Sequence, residues 1–393
     1  MQDVVIVGYA RTPIGKFMGG LSSLTAMDLG GTAIASAVER SGIDAELVDI
    51  VYMGHVLQAG QGQITARQAA HKAGIAMGVP AVTINKVCPS GMAAVGMARQ
   101  TLLAGDAEVI VAGGMESMSN APYLLPKART GYRMGNGELV DSMIHDGLWC
   151  AFDGCHMGEG SDAKNTEYEI SRAEQDEWSA MSHERAVAAW KDGRFDGEVV
   201  GVEVPQRKGD PVLVEQDEGM RPGTTAESLG NLRPAFVKDG TITAGNASQV
   251  SDGGAALVLT TASKAEELGL TPLGRILSYG TVAGPDPSLH HQPAEAIRAA
   301  AAKIDRDPAG FDLYEMNEAF ASVAVHSAKL LDVDAEKVNV NGGAVALGHP
   351  IGCTGARITI TLLHELRNRG GGVGAASLCG GGGQGDALIV EAL

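Results

Sequence analysis

The sequence predicts an α/β fold built from two duplicated halves, with a further region inserted into the first. Three observations carry this reading. Short apolar runs that read as strands alternate with stretches of helical spacing along most of the 393 residues. The runs are almost continuously apolar, as in Val4-Val5-Ile6-Val7, which suits sheets covered on both faces. The order of elements in the first half also recurs in the second.

The repeat can be followed element by element. Residues 24–40 place Met27, Gly31, Ile34 and Val38 on one helical face, and a strand-like stretch follows at 49–56. In the second half Pro293, suited to a first helical position, opens a helix with Ile297, Ala301 and Ile304 on one face, leading to residues 311–320. Residues 82–87 run as a strand into Cys88 and then a helix carrying Met92, Val95, Arg99 and Leu102, stopped by Gly105. Their counterparts are a strand at 338–340, the turn Gly348-His349-Pro350-Ile351-Gly352, and a helix carrying Ile358, Leu362 and Leu366, stopped by Gly370. Strands at 108–112 and 373–378 come next, and a last pair at 255–259 and 387–390 closes each half. Gly380 to Gly385 join the final two strands almost directly. At the same junction of the first half the chain instead holds a long stretch rich in Gly, Asp, Glu, Arg and Pro, with helical spacing at 171–190. The expected organisation is a first half of residues 1–118 with 250–270, an inserted region of 119–249, and a second half of 271–393.

Composition excludes several function classes. A net charge of −17 argues against nucleic acid or an anionic membrane as a partner, so any anionic ligand must meet local cations or backbone N–H groups. Cysteines 88, 150, 155, 353 and 379 are odd in number and lack CxxC spacing, which argues against a disulfide framework and a zinc site. His290-His291 has no third partner at ligand spacing, so no metal is expected. The start of the chain shows no basic region or cleavage site, and no apolar stretch reaches membrane-spanning length; a cytoplasmic protein is expected.

Two of the thiols stand out. Cys88 lies in Asn85-Lys86-Val87-Cys88-Pro89-Ser90-Gly91 and Cys379 opens Cys379-Gly380-Gly381-Gly382-Gly383-Gln384-Gly385. Each follows an apolar run and meets a glycine or proline bend, a recurring way to present a reactive side chain. Taken alone, a mid-chain cysteine is most often a buried structural thiol. In company with Asn317-Glu318-Ala319-Phe320, the stretch from Gly348 to Arg357, Ala244-Gly245-Asn246-Ala247-Ser248 and Gly60-Gln61-Gly62-Gln63, these turns resemble the signature set of the thiolases, in family order along the chain. Cys155-His156-Met157-Gly158 is similar to the short-chain, biosynthetic acetyl-CoA acetyltransferases.

The resemblance implies a thiolase fold, two βαβαβαββ halves in αβαβα layers with an inserted loop domain that binds coenzyme A. It implies Cys88 as the nucleophile that carries the acyl group as a thioester, activated by His349, and Cys379 as the general acid and base. A free thiol titrates near ~8.5, so such a nucleophile needs a base or a helix N-terminus beside it. Asn317 would hold a water that, with His349, forms one oxyanion hole; the backbone N–H groups of Cys88 and Gly381 would form the other. Leu148, His156, Met157, Arg221, Ser228, Ala235, Ser248, Ala319 and Phe320 would line the coenzyme A site. Implied substrates are acetyl-CoA, acetoacetyl-CoA and CoA, with no permanently bound cofactor, and the implied assembly is a homotetramer. The rival readings are a broader 3-ketoacyl-CoA thiolase of β-oxidation and a non-catalytic acyl-CoA-binding protein on the same scaffold. A decarboxylating condensing enzyme fits less well, since those relatives pair one Cys with His residues. The chain departs from the family at Pro89, where a small residue is usual, at His55, where asparagine is usual, and at Gly158-Glu159-Gly160-Ser161-Asp162.

Overall fold

In the computed structural model, which describes residues 2–393, the first half runs β1 (Val4–Arg11), α1 (Ala26–Ser41), β2 (Ile50–Gly54), α2 (Thr65–Lys72), β3 (Ala81–Ile84), α3 (Ser90–Ala104) and β4 (Val109–Ser117). An inserted segment follows, whose main helices are α4 (Met157–Glu167) and α5 (Arg172–Lys191), and the chain returns in β5 (Ser251–Thr261). The second half runs β6 (Gly274–Ala283), α6 (Gln292–Ala302), β7 (Leu313–Met316), α7 (Ala321–Leu331), α8 (Thr354–Asn368), β8 (Gly372–Gly380) and β9 (Gln384–Ala392). Local chemistry sets the boundaries. Thr25 and Asp28 form a capping box at the start of α1, as Ser171 and Glu174 do for α5, and Gly105 ends α3 in the left-handed region.

The strands join in the order β7-β8-β9-β6-β1-β5-β4-β2-β3, and the two-residue strand Gly15–Lys16 pairs with β5 to complete a 10-stranded sheet. The half-sheets meet only where Val5 and Ile6 pair with Arg275 and Gly274. Within each half the pattern repeats: β1, β5, β4 and β2 correspond to β6, β9, β8 and β7. Helices α1 and α2 cover the outer face of the first half-sheet, α6 and α7 that of the second, and α3 lies with α8 between the two. The apolar core follows these layers. Its central cluster joins Met92, Val95 and Leu102 of α3 to Ile358, Leu362 and Leu366 of α8, while Ile34 and Ile297 belong to separate outer clusters. The result is αβαβα layering.

One expected element differs. The strand expected at 338–340 is a single bridge between Val338 and Tyr314. Asn339 turns to φ +48, and its side chain donates to the Met316 carbonyl and accepts from the Met316 N–H, each at 2.8 Å. A side chain has taken the place of a backbone ladder there. Helices α2 and α7, short and flanked by polar turns, had no clear signal in the sequence.

Buried charges hold the inserted segment to the scaffold. Arg11 of β1 is fully buried and donates to Glu198 at 2.5 Å and to Asp217 at 2.8 and 3.1 Å. Glu318, just beyond β7, accepts from Trp178 and Ser182 of α5, from Asn339, and from the Val345 N–H. Among the described residues, no helix is long and apolar enough to cross a membrane. Arg11→Ala leaves Glu198 and Asp217 without their cation and should cost about 3–5 kcal/mol of stability; equilibrium urea unfolding measures it, and a loss below ~1 kcal/mol would contradict the anchoring role.

Candidate active site

The turn between β3 and α3 presents Cys88. Val87, a β-branched residue, is held at φ +54, a conformation that costs energy and needs support from its surroundings. That support is visible: Asn85 Oδ1 accepts from the Val87 N–H at 3.0 Å, and Ser90 Oγ donates to the Val87 carbonyl and accepts from the Lys86 N–H. Lys86 Nζ then reaches Asp386 of β9 at 2.6 Å, tying the turn to the second half. Pro89 stands just before the first helical residue, with its carbonyl already accepting from the Ala93 N–H at 2.8 Å. A Cβ on Gly380 would lie 2.5 Å from Pro89 Cδ, so the proline is accommodated because its neighbour across the site is glycine.

His349 stands in the turn before α8. Its Nδ1 lies 2.6 Å from Thr354 Oγ1, which is also 3.0 Å from the Pro350 carbonyl. Its Nε2 lies 3.4 Å from Asn317 Nδ2. Asn317 Oδ1 is buried with no partner, an acceptor open to a bound donor.

Burial governs the protonation of all three groups. It pushes the His349 imidazolium down to about 3, with Arg357 adding to the effect. It pushes the Cys88 thiol up to about 12, with the nearby backbone N–H groups of Gly381 and Cys88 opposing the rise. Cys379, at the end of β8, is raised well above its usual range by burial and by Cys88 nearby. Both shifts favour the uncharged thiol and the uncharged imidazole at rest.

Cys88 and His349 open on a cavity of about 190 Å³, whose lining includes neither Cys379, Asn317 nor Gly381. Cys88, His349, Leu148, His156, Met157, Ser248, Ala319 and Phe320 all line it. Cys379 is fully buried in the adjoining apolar cluster with Ala319, Phe320, Leu289 and Ile242. Arg221, Ser228 and Ala235 do not line the cavity; all three are exposed on the inserted segment. Phe236 and Gln249 complete the wall but carried no signal in the sequence. Phe236 stacks on His156 with ring centroids 4.5 Å apart, and Gln249 accepts the His349 N–H through its carbonyl at 3.1 Å. Thr354 was legible only as part of the His349 motif. Among the described residues, no group of three or more His, Cys, Asp or Glu side chains is placed to hold a metal ion.

Models of the thiolase N-terminal and C-terminal domains match residues 4–263 and 270–392. The chain belongs to the thiolase family. Among its thiolase relatives, a probable acetyl-CoA acetyltransferase of Mycolicibacterium smegmatis is 54% identical over 387 residues, covering 98% of this chain and 100% of the relative. The acetyl-CoA acetyltransferase of Cupriavidus necator is 52% identical over 392 residues, with 100% of each chain covered. The crystal structure of the Bacillus anthracis acetyl-CoA acetyltransferase is 45% identical and superposes with a TM-score of 0.97 over 100% of this chain and 99% of that one. The thiolase fold implied by the motifs is the fold observed.

An uncharged thiol and imidazole give a distinctive pH dependence in this thiolase. Alkylation of Cys88 by iodoacetamide in the ligand-free enzyme should climb through the alkaline range; a titration midpoint below about pH 7 would mean a resting ion pair instead.

Proposed function

We propose that the chain is an acetyl-CoA C-acetyltransferase, joining two acetyl-CoA molecules to give acetoacetyl-CoA and CoA and catalysing the reverse thiolysis. One observation carries the reading: the Cys88 thiol and a neutral His349, from turns of opposite halves, line one cavity, with a second buried thiol, Cys379, in the adjoining apolar cluster. Full-length relatives of about half identity bear the same activity in their names.

Proton accounting assigns the roles. Cys88 Sγ attacks the first thioester carbon while its proton passes to His349 Nε2. The oxyanion is met by the N–H groups of Cys88 and Gly381, both close enough to the thiol to oppose the rise of its pKa. The leaving CoA thiolate takes its proton from Cys379, so the acetyl-enzyme forms beside a Cys379 thiolate and a His349 imidazolium. Burial disfavours that thiolate, which makes it a strong base matched to a weak carbon acid. It removes a proton from the methyl group of the second acetyl-CoA. The enolate oxygen is stabilised by His349 Nε2–H and by a water held at Asn317. Carbon–carbon bond formation expels Cys88 as a thiolate, which recovers its proton from His349. Every proton is returned.

Coenzyme A would run along the inserted segment, its pantetheine arm between His156, Met157, Ser248 and Phe320. Its nucleotide would lie outside the cavity near Ser228 and Ala235, with Arg221 offering a local cation on an acidic protein. No cofactor is required beyond the thioester substrates. The working form is a cytoplasmic homotetramer assembled through the inserted segment, where Met134 is 98% exposed and Leu125 and Leu139 are also exposed.

Cys88→Ala should abolish acetyl-enzyme formation, and labelled acetate retained covalently by that variant would remove Cys88 as the nucleophile. Cys379→Ala should stop condensation, and turnover at the parental rate would exclude it as the base. Across a panel of 3-ketoacyl-CoA chain lengths, thiolysis should be confined to short chains. Equal rates on four-carbon and long-chain substrates would instead support the broader degradative thiolase, and no thiolysis at all the acyl-CoA-binding protein.

A further inference from the structure

The catalytic turns come from opposite halves of the fold, and one buried side chain lies between them. Glu116, in β4, is fully buried and belongs to neither turn. Its Oε2 accepts from the Gly352 N–H at 2.9 Å and the Val56 N–H at 3.1 Å; its Oε1 accepts from the Leu57 N–H at 3.1 Å. His55 Nε2 stands 3.3 Å from Oε1, and His55 Nδ1 is fixed by Thr65 Oγ1 at 2.9 Å. Gly352 lies in the His349 turn. Residues 55–57 lie against the Cys88 turn: Asn85 Nδ2 donates to the Val56 carbonyl at 3.4 Å, and Asn85 Oδ1 accepts from the Val87 N–H. The approach is close enough that a Cβ on Gly352 would sit 2.8 Å from Glu116 Oε2 and 3.0 Å from the His55 Cα.

We propose that Glu116, oriented by His55, is a positioning residue that sets the separation between His349 and Cys88 by stapling their two turns to a single carboxylate. This rests on the thiolase reading of those two residues. It adds a role for His55, one of the places where the chain departs from its family. Electrostatics and positioning make opposite predictions. The negative charge of Glu116 opposes ionisation of Cys88, so an effect of charge alone would make Cys88 more reactive once Glu116 is neutralised. A positioning role makes acetyl transfer slower, because small displacements of reacting groups cost about 100-fold in rate.

The test measures single-turnover acetylation of Cys88 by acetyl-CoA in the full-length enzyme, and its alkylation by iodoacetamide at alkaline pH, where His349 is not needed. Glu116→Gln should slow acetylation by about 100-fold while alkylation proceeds at least as fast as in the parent. In a His349→Ala background the same change should cost less than about 3-fold, since the group it positions is gone. Parental acetylation by Glu116→Gln, or an undiminished loss in the His349→Ala background, overturns the proposal. His55→Ala keeps the carboxylate and its three backbone donors, and it carries the test alone if Glu116→Gln does not fold. A slower acetylation that vanishes in the His349→Ala background supports the proposal, and a parental rate overturns it. A parent enzyme that never acetylates Cys88 would overturn the thiolase reading itself, so the two failures are distinguishable.

Discussion

The packing of α3 against α8 is the contact on which the rest of the molecule depends. Each is the helix that its half contributes to the central layer, and the two touch along Met92, Val95, Ile358 and their neighbours. Cys88 precedes one helix and His349 the other, so a single helix pair delivers both groups to one cavity. The duplication gives two similar helix starts and the packing brings them together. Neither half holds a site alone. The rest of the scaffold serves that contact: the sheets clamp it from both sides, and the outer helices bury the sheets' far faces.

Burial then decides the chemistry. The cavity lining is mostly apolar, and taking thiol and imidazole out of water favours their neutral forms. Such an arrangement protects the nucleophile until a substrate arrives, because neither group is charged at rest. The His349 ring is held through Nδ1 by Thr354 Oγ1 at 2.6 Å, a polar side chain that does not itself line the cavity.

Much of this was legible in the sequence, for identifiable reasons. Helix α1 announced itself through apolar spacing, and the strands through uninterrupted Val, Ile and Leu. Cys88, His349 and Cys379 stood out because each lies in a short stretch rich in glycine or proline, whereas Asn317 came from the resemblance of its motif alone. The bridge at Val338 was misread as a strand because three alternating residues look the same whether the backbone or an asparagine side chain satisfies the neighbouring strand. Phe236, Gln249 and Glu116 left no trace, since their importance comes from contacts with residues far away in the chain. The exposed positions Arg221, Ser228 and Ala235 came from resemblance rather than pattern, and the structure leaves them outside the enclosed cavity.

The contact between Pro89 and Gly380 has a consequence for how the chain can vary. The proline ring fills the space that a side chain at 380 would need, so each position limits what the other accepts. Two turns from opposite halves of the duplication, carrying different thiols, are thereby linked in the substitutions they tolerate. With proline at position 89, the backbone at position 380 is left no room for a side chain. Engineering either turn means choosing both residues at once.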